Sequence, residues 1–98
     1  MKISIIGNGN LAQSLANLLA KKSFQIHEMY APNFDLLEVF CKSINSKAIK
    51  KLSDLDTNID LLIISITDSA IAEIVDLIPK GDYIIAHTSG SVPMDVFK

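Results

Sequence analysis

The stretch Met1 to Ala20, MKISIIGNGNLAQSLANLLA, limits the possible folds of this chain more than any other. Ile3, Ile5 and Ile6 form an apolar run too short for a helix and set directly before glycines, so they read as a buried strand. Leu11, Leu15, Leu18 and Leu19 then recur at i, i+4, i+7 and i+8, the spacing of a helix. Between the two lies Gly7-Asn8-Gly9-Asn10-Leu11-Ala12. In such a turn Gly7 permits the sharp exit from the strand, Gly9 keeps a Cβ out of the path of anything approaching, and small Ala12 lets the helix lie close to the sheet. The amides of the first helical turn have no intrahelical acceptor and sit at the positive end of the helix dipole, where a phosphate is favoured. Strand, Gly-x-Gly-x-x-Ala turn and helix together predict a dinucleotide site.

Taken in order, the rest of the chain repeats the same alternation. Phe24 to Tyr30 alternates apolar and polar residues, which predicts a strand with one buried face near the sheet edge. Ala31-Pro32-Asn33 breaks it, because the residue before proline is held extended and Asn33 can cap a helix. Leu37, Phe40, Cys41 and Ile44 supply that helix with an apolar stripe, and Cys41 on the stripe reads as a buried, inert thiol. Lys47 to Lys50 reads as a marginal edge strand, and Ser53 to Asp56 has capping-box spacing, which predicts a brief helical turn. Asp60 to Ile66 is apolar on both faces and predicts a central strand. Thr67 or Asp68 then caps a helix with Ile71, Ile74, Val75 and Ile78 on its buried face, and Pro79 to Asp82 stops it. Tyr83 to His87 is read as a fifth, buried strand, followed by the polar loop Thr88 to Pro93.

Alternating strands and helices predict one α/β domain over residues 1–98, a doubly wound parallel sheet of Rossmann-like form with strand order 3-2-1-4-5. A complete dinucleotide fold adds a sixth strand, so the sequence reads as the N-terminal fragment of a longer protein. In such a sheet the ligand lies outside the carboxyl ends of the strands, where the strand order reverses. Four segments end there: Gly7 to Ala12, Tyr30 to Asn33, Ser65 to Asp68 and His87 to Ser91. Gly7, Asn8, Gly9, Asn10, Leu11 and Ala12 are assigned to a pyrophosphate. Ala31, Pro32 and Asn33 are assigned to the adenosine ribose. Ser65, Ile66 and Thr67 are assigned to the second ribose, and Thr88 to the nicotinamide edge. His87 and Ser89 are the candidate catalytic pair, since a histidine ending a buried strand replaces an expected apolar residue.

Charge and composition exclude several classes. All 9 basic residues are Lys and the net charge is -2, which argues against a nucleic-acid surface and leaves any phosphate to Lys or backbone amides. A single Cys allows no intrachain disulfide, and His27 and His87 have no metal-ligand spacing. Mean hydropathy is +0.33, which fits strands buried on both faces, yet no run approaches the roughly 18 apolar residues of a membrane span. With no signal-peptide pattern, a cytoplasmic protein is expected. An NAD site places an acid at the end of the second strand, about 20 residues past the glycines. Glu28 comes near that spacing but precedes Met29 and Tyr30 in the strand, so the choice between NADP and NAD stays open.

Three segments carry a family resemblance: Ile5 to Ala12, Ile64 to Ile71 and His87-Thr88-Ser89-Gly90-Ser91-Val92-Pro93. They resemble the Rossmann-like N-terminal domain of NADP-type oxidoreductases related to pyrroline-5-carboxylate reductase, the deazaflavin-dependent NADP oxidoreductases and the 6-phosphogluconate dehydrogenase superfamily. The resemblance implies an NAD(P)-binding domain acting on a small-molecule substrate. It also implies a helical C-terminal domain, absent here, that completes the active site and forms a homodimer. Relatives often carry Ser-Arg or Asn-Arg after the second strand for the 2′-phosphate, where this chain has Ala31-Pro32. The leading expectation is the cofactor-binding half of an NAD(P)-dependent oxidoreductase, inactive alone; the alternative is a non-catalytic nucleotide-sensing or interaction module.

Overall fold

Ile3, Ile5 and Ile6 are each 1% exposed in β1 (Lys2–Ile6), the middle strand of a five-stranded parallel sheet. The computed structural model describes residues 1–7, 9–66 and 74–87. Its remaining strands are β2 (Gln25–Tyr30), β3 (Lys47–Ile49), β4 (Leu61–Ile64) and β5 (Ile84–His87). They stand in the order β3-β2-β1-β4-β5, as the alternation predicts, so the order reverses between β1 and β4. Both neighbours of β1 are parallel, which explains why it reads as a continuous apolar run.

Two helices, α1 (Asn10–Lys21) and α2 (Phe34–Ser43), cover one face of the sheet. Ala12, Ala16, Leu37 and Cys41 pack there on Ile3, Ile5, Ile26, Met29 and Ile63. The leucine pattern predicted the right helix but only part of its stripe, and Ala12 lies against the sheet as the turn motif implies. Leu11 and Leu18 are half exposed, while Ala12 and Ala16 are buried with Leu15 and Leu19 beside them. Alanines face the strands because α1 lies close against the sheet, where a larger side chain would push it away. Burial also pushes the Cys41 thiol up to about 11, so it is the inert core residue its position predicts.

On the other face Ile6, Leu62 and Ile64 pack against Leu52, Leu55, Ile59 and Tyr83, from the segments that lead into β4 and β5. A short 3₁₀ turn at Leu52–Asp54 stands where the capping box was expected, but it begins after Lys51 and uses no side-chain cap. Asp56, the last residue of the expected box, instead accepts from the Asn58 amide at 2.9 Å. A second 3₁₀ turn, Val75–Leu77, ends the connection before β5, and Val75 is exposed rather than on a buried stripe. The predicted caps Thr67 and Asp68 and the stripe residue Ile71 lie outside the described residues. β5 takes its expected place at the sheet edge beside β4, but it is less buried than expected, with Ile84 70% exposed.

The register of β1 against β2 shifts between Ile3 and Ser4, which face Ile26 and Glu28, so His27 is an extra residue on β2. Such a bulge breaks alternation, and Glu28 and Met29 are consecutively buried. Glu28 Oε1 accepts from the Asp56 amide at 2.8 Å, and His27 Nε2 lies 2.9 Å from Asp56 Oδ2. Both side chains therefore fasten β2 to the loop that precedes β4.

Candidate functional site

Gly7 follows β1 with φ +131, a backbone conformation that side chains rarely allow. Its amide donates to the Tyr30 carbonyl at 2.7 Å, and a Cβ at this position would lie 2.3 Å from the Ser65 carbonyl oxygen. The turn is thus wedged between the ends of β2 and β4. Gly9 is different. Its φ of -79 is ordinary, and among the described residues a Cβ there would meet nothing within 4 Å. Packing among the described residues does not require a glycine at this position, so the missing side chain keeps space in front of α1 clear of them.

Gly9 is the N-cap of α1, and its carbonyl accepts the first helical hydrogen bond, from Gln13, at 3.0 Å. The amides of Asn10, Leu11 and Ala12 precede that bond, with no side-chain cap and no acid in the first turn. They form a row of donors at the positive helix end, facing the space that Gly9 leaves clear. Ala12 is buried and Leu11 exposed, so residues of the turn contribute backbone rather than side chain. Asn8 lies outside the described residues.

Past β2, Ala31 is buried while Pro32 and Asn33 are exposed. Asn33 Oδ1 accepts from the Leu36 amide at 3.2 Å, so its carbonyl oxygen caps α2. Glu28, the acid at roughly the expected spacing, is 3% exposed and engaged below the sheet end. No carboxylate of β2 itself therefore reaches its carboxyl end. The end of β3 brings a feature that sequence reasoning missed. Lys50 Nζ stands 5.0 Å from the centroid of the Phe34 ring, at the first turn of α2. Phe34 lines a hollow of about 460 Å³ with Pro32, Asn33 and Asp35, and Lys50 lines one of about 290 Å³ with Tyr30, Lys51, Leu52, Ser53 and Leu77. The sequence signal was the pair Lys50-Lys51 directly after a strand, unused because β3 read as marginal.

On the other side of the reversal, Ser65 is buried, its amide donating to the Ile6 carbonyl at 2.8 Å, and Ile66 is partly buried. His87 closes β5 in register with Ile64 and is fully buried. The structure brings Gly7, Gly9, Ala31 to Asn33, Ser65, Ile66 and His87 to strand ends or the loops that follow them, and Asn10 to Ala12 to the first turn of α1. Thr67, Thr88 and Ser89 lie outside the described residues. No group of metal-ligating side chains occurs among the described residues, and none of the helices described is long and apolar enough to cross a membrane.

A parallel sheet whose order reverses beside a glycine turn and an open helix N-terminus defines a Rossmann-like domain of the dinucleotide-binding class. The family described as NADP oxidoreductase, coenzyme F420-dependent, matches residues 2–90, and the chain belongs to that family. Among solved structures, a protein assigned as an NADP oxidoreductase from Bacteroides fragilis is 31% identical with a TM-score of 0.88, covering 99% of this chain and 39% of its own. A conserved protein from Sinorhizobium meliloti 1021 is 15% identical with a TM-score of 0.77, over 91% of this chain and 32% of its own. The NAD+-dependent dismutase 5-formyl-3-hydroxy-2-methylpyridine 4-carboxylic acid 5-dehydrogenase is 19% identical with a TM-score of 0.66, over 94% and 38%. The last two share the fold. The chain spans about two fifths of the length of the Bacteroides structure and less of the other two. No curated protein matches the chain.

Proposed function

We propose that this chain is the nicotinamide-dinucleotide-binding part of an NAD(P)-dependent oxidoreductase that moves hydride to or from a small molecule. The observation that carries the reading is the pairing of Gly9, whose Cβ position faces open space, with the Asn10, Leu11 and Ala12 amides of α1. Those amides would hold the pyrophosphate. Ala31 to Asn33 would border the adenosine ribose, and Ser65 to Thr67 the ribose nearer the nicotinamide. The nicotinamide, when bound, supplies or accepts the hydride.

His87 and Ser89 are assigned to the substrate edge, His87 to hold or move a proton and Ser89 to offer a hydroxyl. Members of this family carry a description that names coenzyme F420, which makes that coenzyme a reaction partner to include in turnover assays. A titration with NADPH and with NADH, read by nicotinamide fluorescence, tests the binding role; the chain has no Trp to interfere. Gly9→Val should abolish binding while leaving the fold intact, because its side chain would occupy the ligand's space. Binding that survives this substitution would refute the site. Unchanged turnover of His87→Gln in the active enzyme would remove His87 from the chemistry.

A further inference from the structure

We infer that Lys50 is the residue that selects the phosphorylated dinucleotide, by pairing with the 2′-phosphate of NADPH at the carboxyl end of β3. The inference rests on the dinucleotide reading above and adds to it a determinant of specificity outside the β2 loop.

Three observations lead to it. First, the carboxyl end of β2 offers neither an acid nor a cation: Tyr30 is followed by Ala31, Pro32 and Asn33, and the Glu28 carboxylate is held on the Asp56 amide. An acid at this point would bond both ribose hydroxyls and repel a 2′-phosphate, and none of β2 is there to do so. Second, Tyr30 and Ile49 are register partners, so Lys50 emerges beside the β2 end rather than at a remote edge. Third, the Lys50 ammonium stands over the Phe34 ring, 5.0 Å from its centroid, with Phe34 lining one hollow and Lys50 the other. A cation over an aromatic face is held there by the ring quadrupole, which lowers the cost of ordering a flexible side chain before a ligand arrives.

Among the described residues, the other charges lining these hollows are Lys51, beside Lys50, and Asp35, in the other hollow. Asp35 opposes a phosphate, so the cations must outweigh it. Lys50 is the nearer to α2 by its contact with Phe34, and a lysine acts here as a point charge where an arginine would act as a fork.

The test is a fluorescence titration of the protein and of Lys50→Met and Lys50→Glu with NADPH, NADH and the half-ligand 2′,5′-ADP as competitor. Lys50 is exposed, and Met retains the apolar stem, so folding is checked by circular dichroism and should be unchanged. The native chain should bind NADPH more tightly than NADH. Lys50→Met should weaken NADPH and 2′,5′-ADP by roughly tenfold, at the low end for a charge-assisted bond, and leave NADH within about twofold. Lys50→Glu should reverse the preference. NADPH affinity should also fall more steeply with salt in the native chain than in Lys50→Met.

Equal weakening of NADPH and NADH, or unchanged affinities in both variants, would overturn the assignment of Lys50 while leaving the dinucleotide reading standing. A native chain that binds NADH at least as tightly as NADPH would overturn it too. Failure to bind either nucleotide would sink this inference and the dinucleotide reading together.

Discussion

The two glycines of the turn should respond oppositely when each is replaced by alanine. At Gly7 the added Cβ would be placed at φ +131 and 2.3 Å from the Ser65 carbonyl oxygen, a backbone atom that cannot rotate away. Backbone strain of this kind costs about 1–3 kcal/mol, and forced displacement of packed neighbours costs about 1–3 kcal/mol more. The two overlap, since shifting the turn relieves both, so about 3 kcal/mol is the working figure for Gly7→Ala. In a domain of this length that should lower the midpoint of thermal unfolding by roughly 12–24 °C. At Gly9 the φ of -79 suits alanine and none of the described residues lies within 4 Å of the added Cβ, so the cost is that of a poorer N-cap, at most about 1 kcal/mol. Urea and thermal melts followed by far-ultraviolet circular dichroism give both numbers, and nucleotide titration of the same samples gives the functional side. Gly9→Ala should weaken binding in a well-folded protein. If Gly7→Ala melts within a degree or two of the native chain, or Gly9→Ala is the more destabilising, the division between a packed glycine and a ligand glycine is wrong.

Three further expectations concern single residues. Asn33→Ala should cost about 1 kcal/mol in urea unfolding, because the Leu36 amide loses its cap, and Asn33→Asp should be close to neutral. The Cys41 thiol, pushed up to about 11, should react with a disulfide reagent at pH 8 only as fast as the chain unfolds, and prompt labelling of the native chain would refute its burial. The bond from the Asn58 amide, then that from His27, holds the Asp56 carboxyl below its usual value of 3.8. A carboxyl depressed by folding contributes stability above its unfolded pKa and loses it as pH falls through the folded value, so the native chain should lose stability between about pH 5 and pH 2 more steeply than Asp56→Asn.

How much could be read from the sequence follows from which forces set each element. The centre of the sheet was legible because β1 and β4 are buried on both faces and so carry runs of isoleucine and leucine, and the strand order follows from the chirality of parallel crossovers. α2 was legible to its N-cap, since Asn33, Leu37 and Cys41 each do what their type and spacing suggest. The stripe of α1 was legible in part: Leu15 and Leu19 pack on the core and Ala12 lies against the sheet, but Leu11 and Leu18 are exposed and Ala16 is buried, because the short distance to the sheet favours alanine. The bulge at His27 has no sequence signature, for it arises from pairing with β1, and it is what places Glu28 and Met29 consecutively in the interior. At the site, the glycine turn was legible as a motif, but not the different reasons for its two glycines. Gly7 is required by the Ser65 carbonyl, more than fifty residues away in the chain, and Gly9 by nothing among the described residues. Lys50 was missed for a similar reason, since only the sheet sets the end of β3 beside the end of β2.

Glu28 separates the structural and functional uses of an acid in this fold. By its place in sequence it could serve the adenosine ribose, as an acid of the second strand does in NAD-binding relatives of the fold. By its geometry it cannot do so: it is 3% exposed, two residues short of the strand end, with Oε1 accepting from the Asp56 amide at 2.8 Å. Glu28→Gln keeps an oxygen for that amide and removes only the charge, whereas Glu28→Ala leaves a buried donor without its partner beside a new cavity. The first should cost little. The second should cost about 2–4 kcal/mol, from the unsatisfied amide and the lost packing together. Neither should change the ratio of NADPH to NADH affinity in variants that remain folded, because the charge that sets this ratio stands at the end of β3. A Glu28→Gln chain that keeps its stability but shifts the ratio toward NADPH would show the carboxylate acting at the ribose, and would require β2 to end differently when nucleotide is bound.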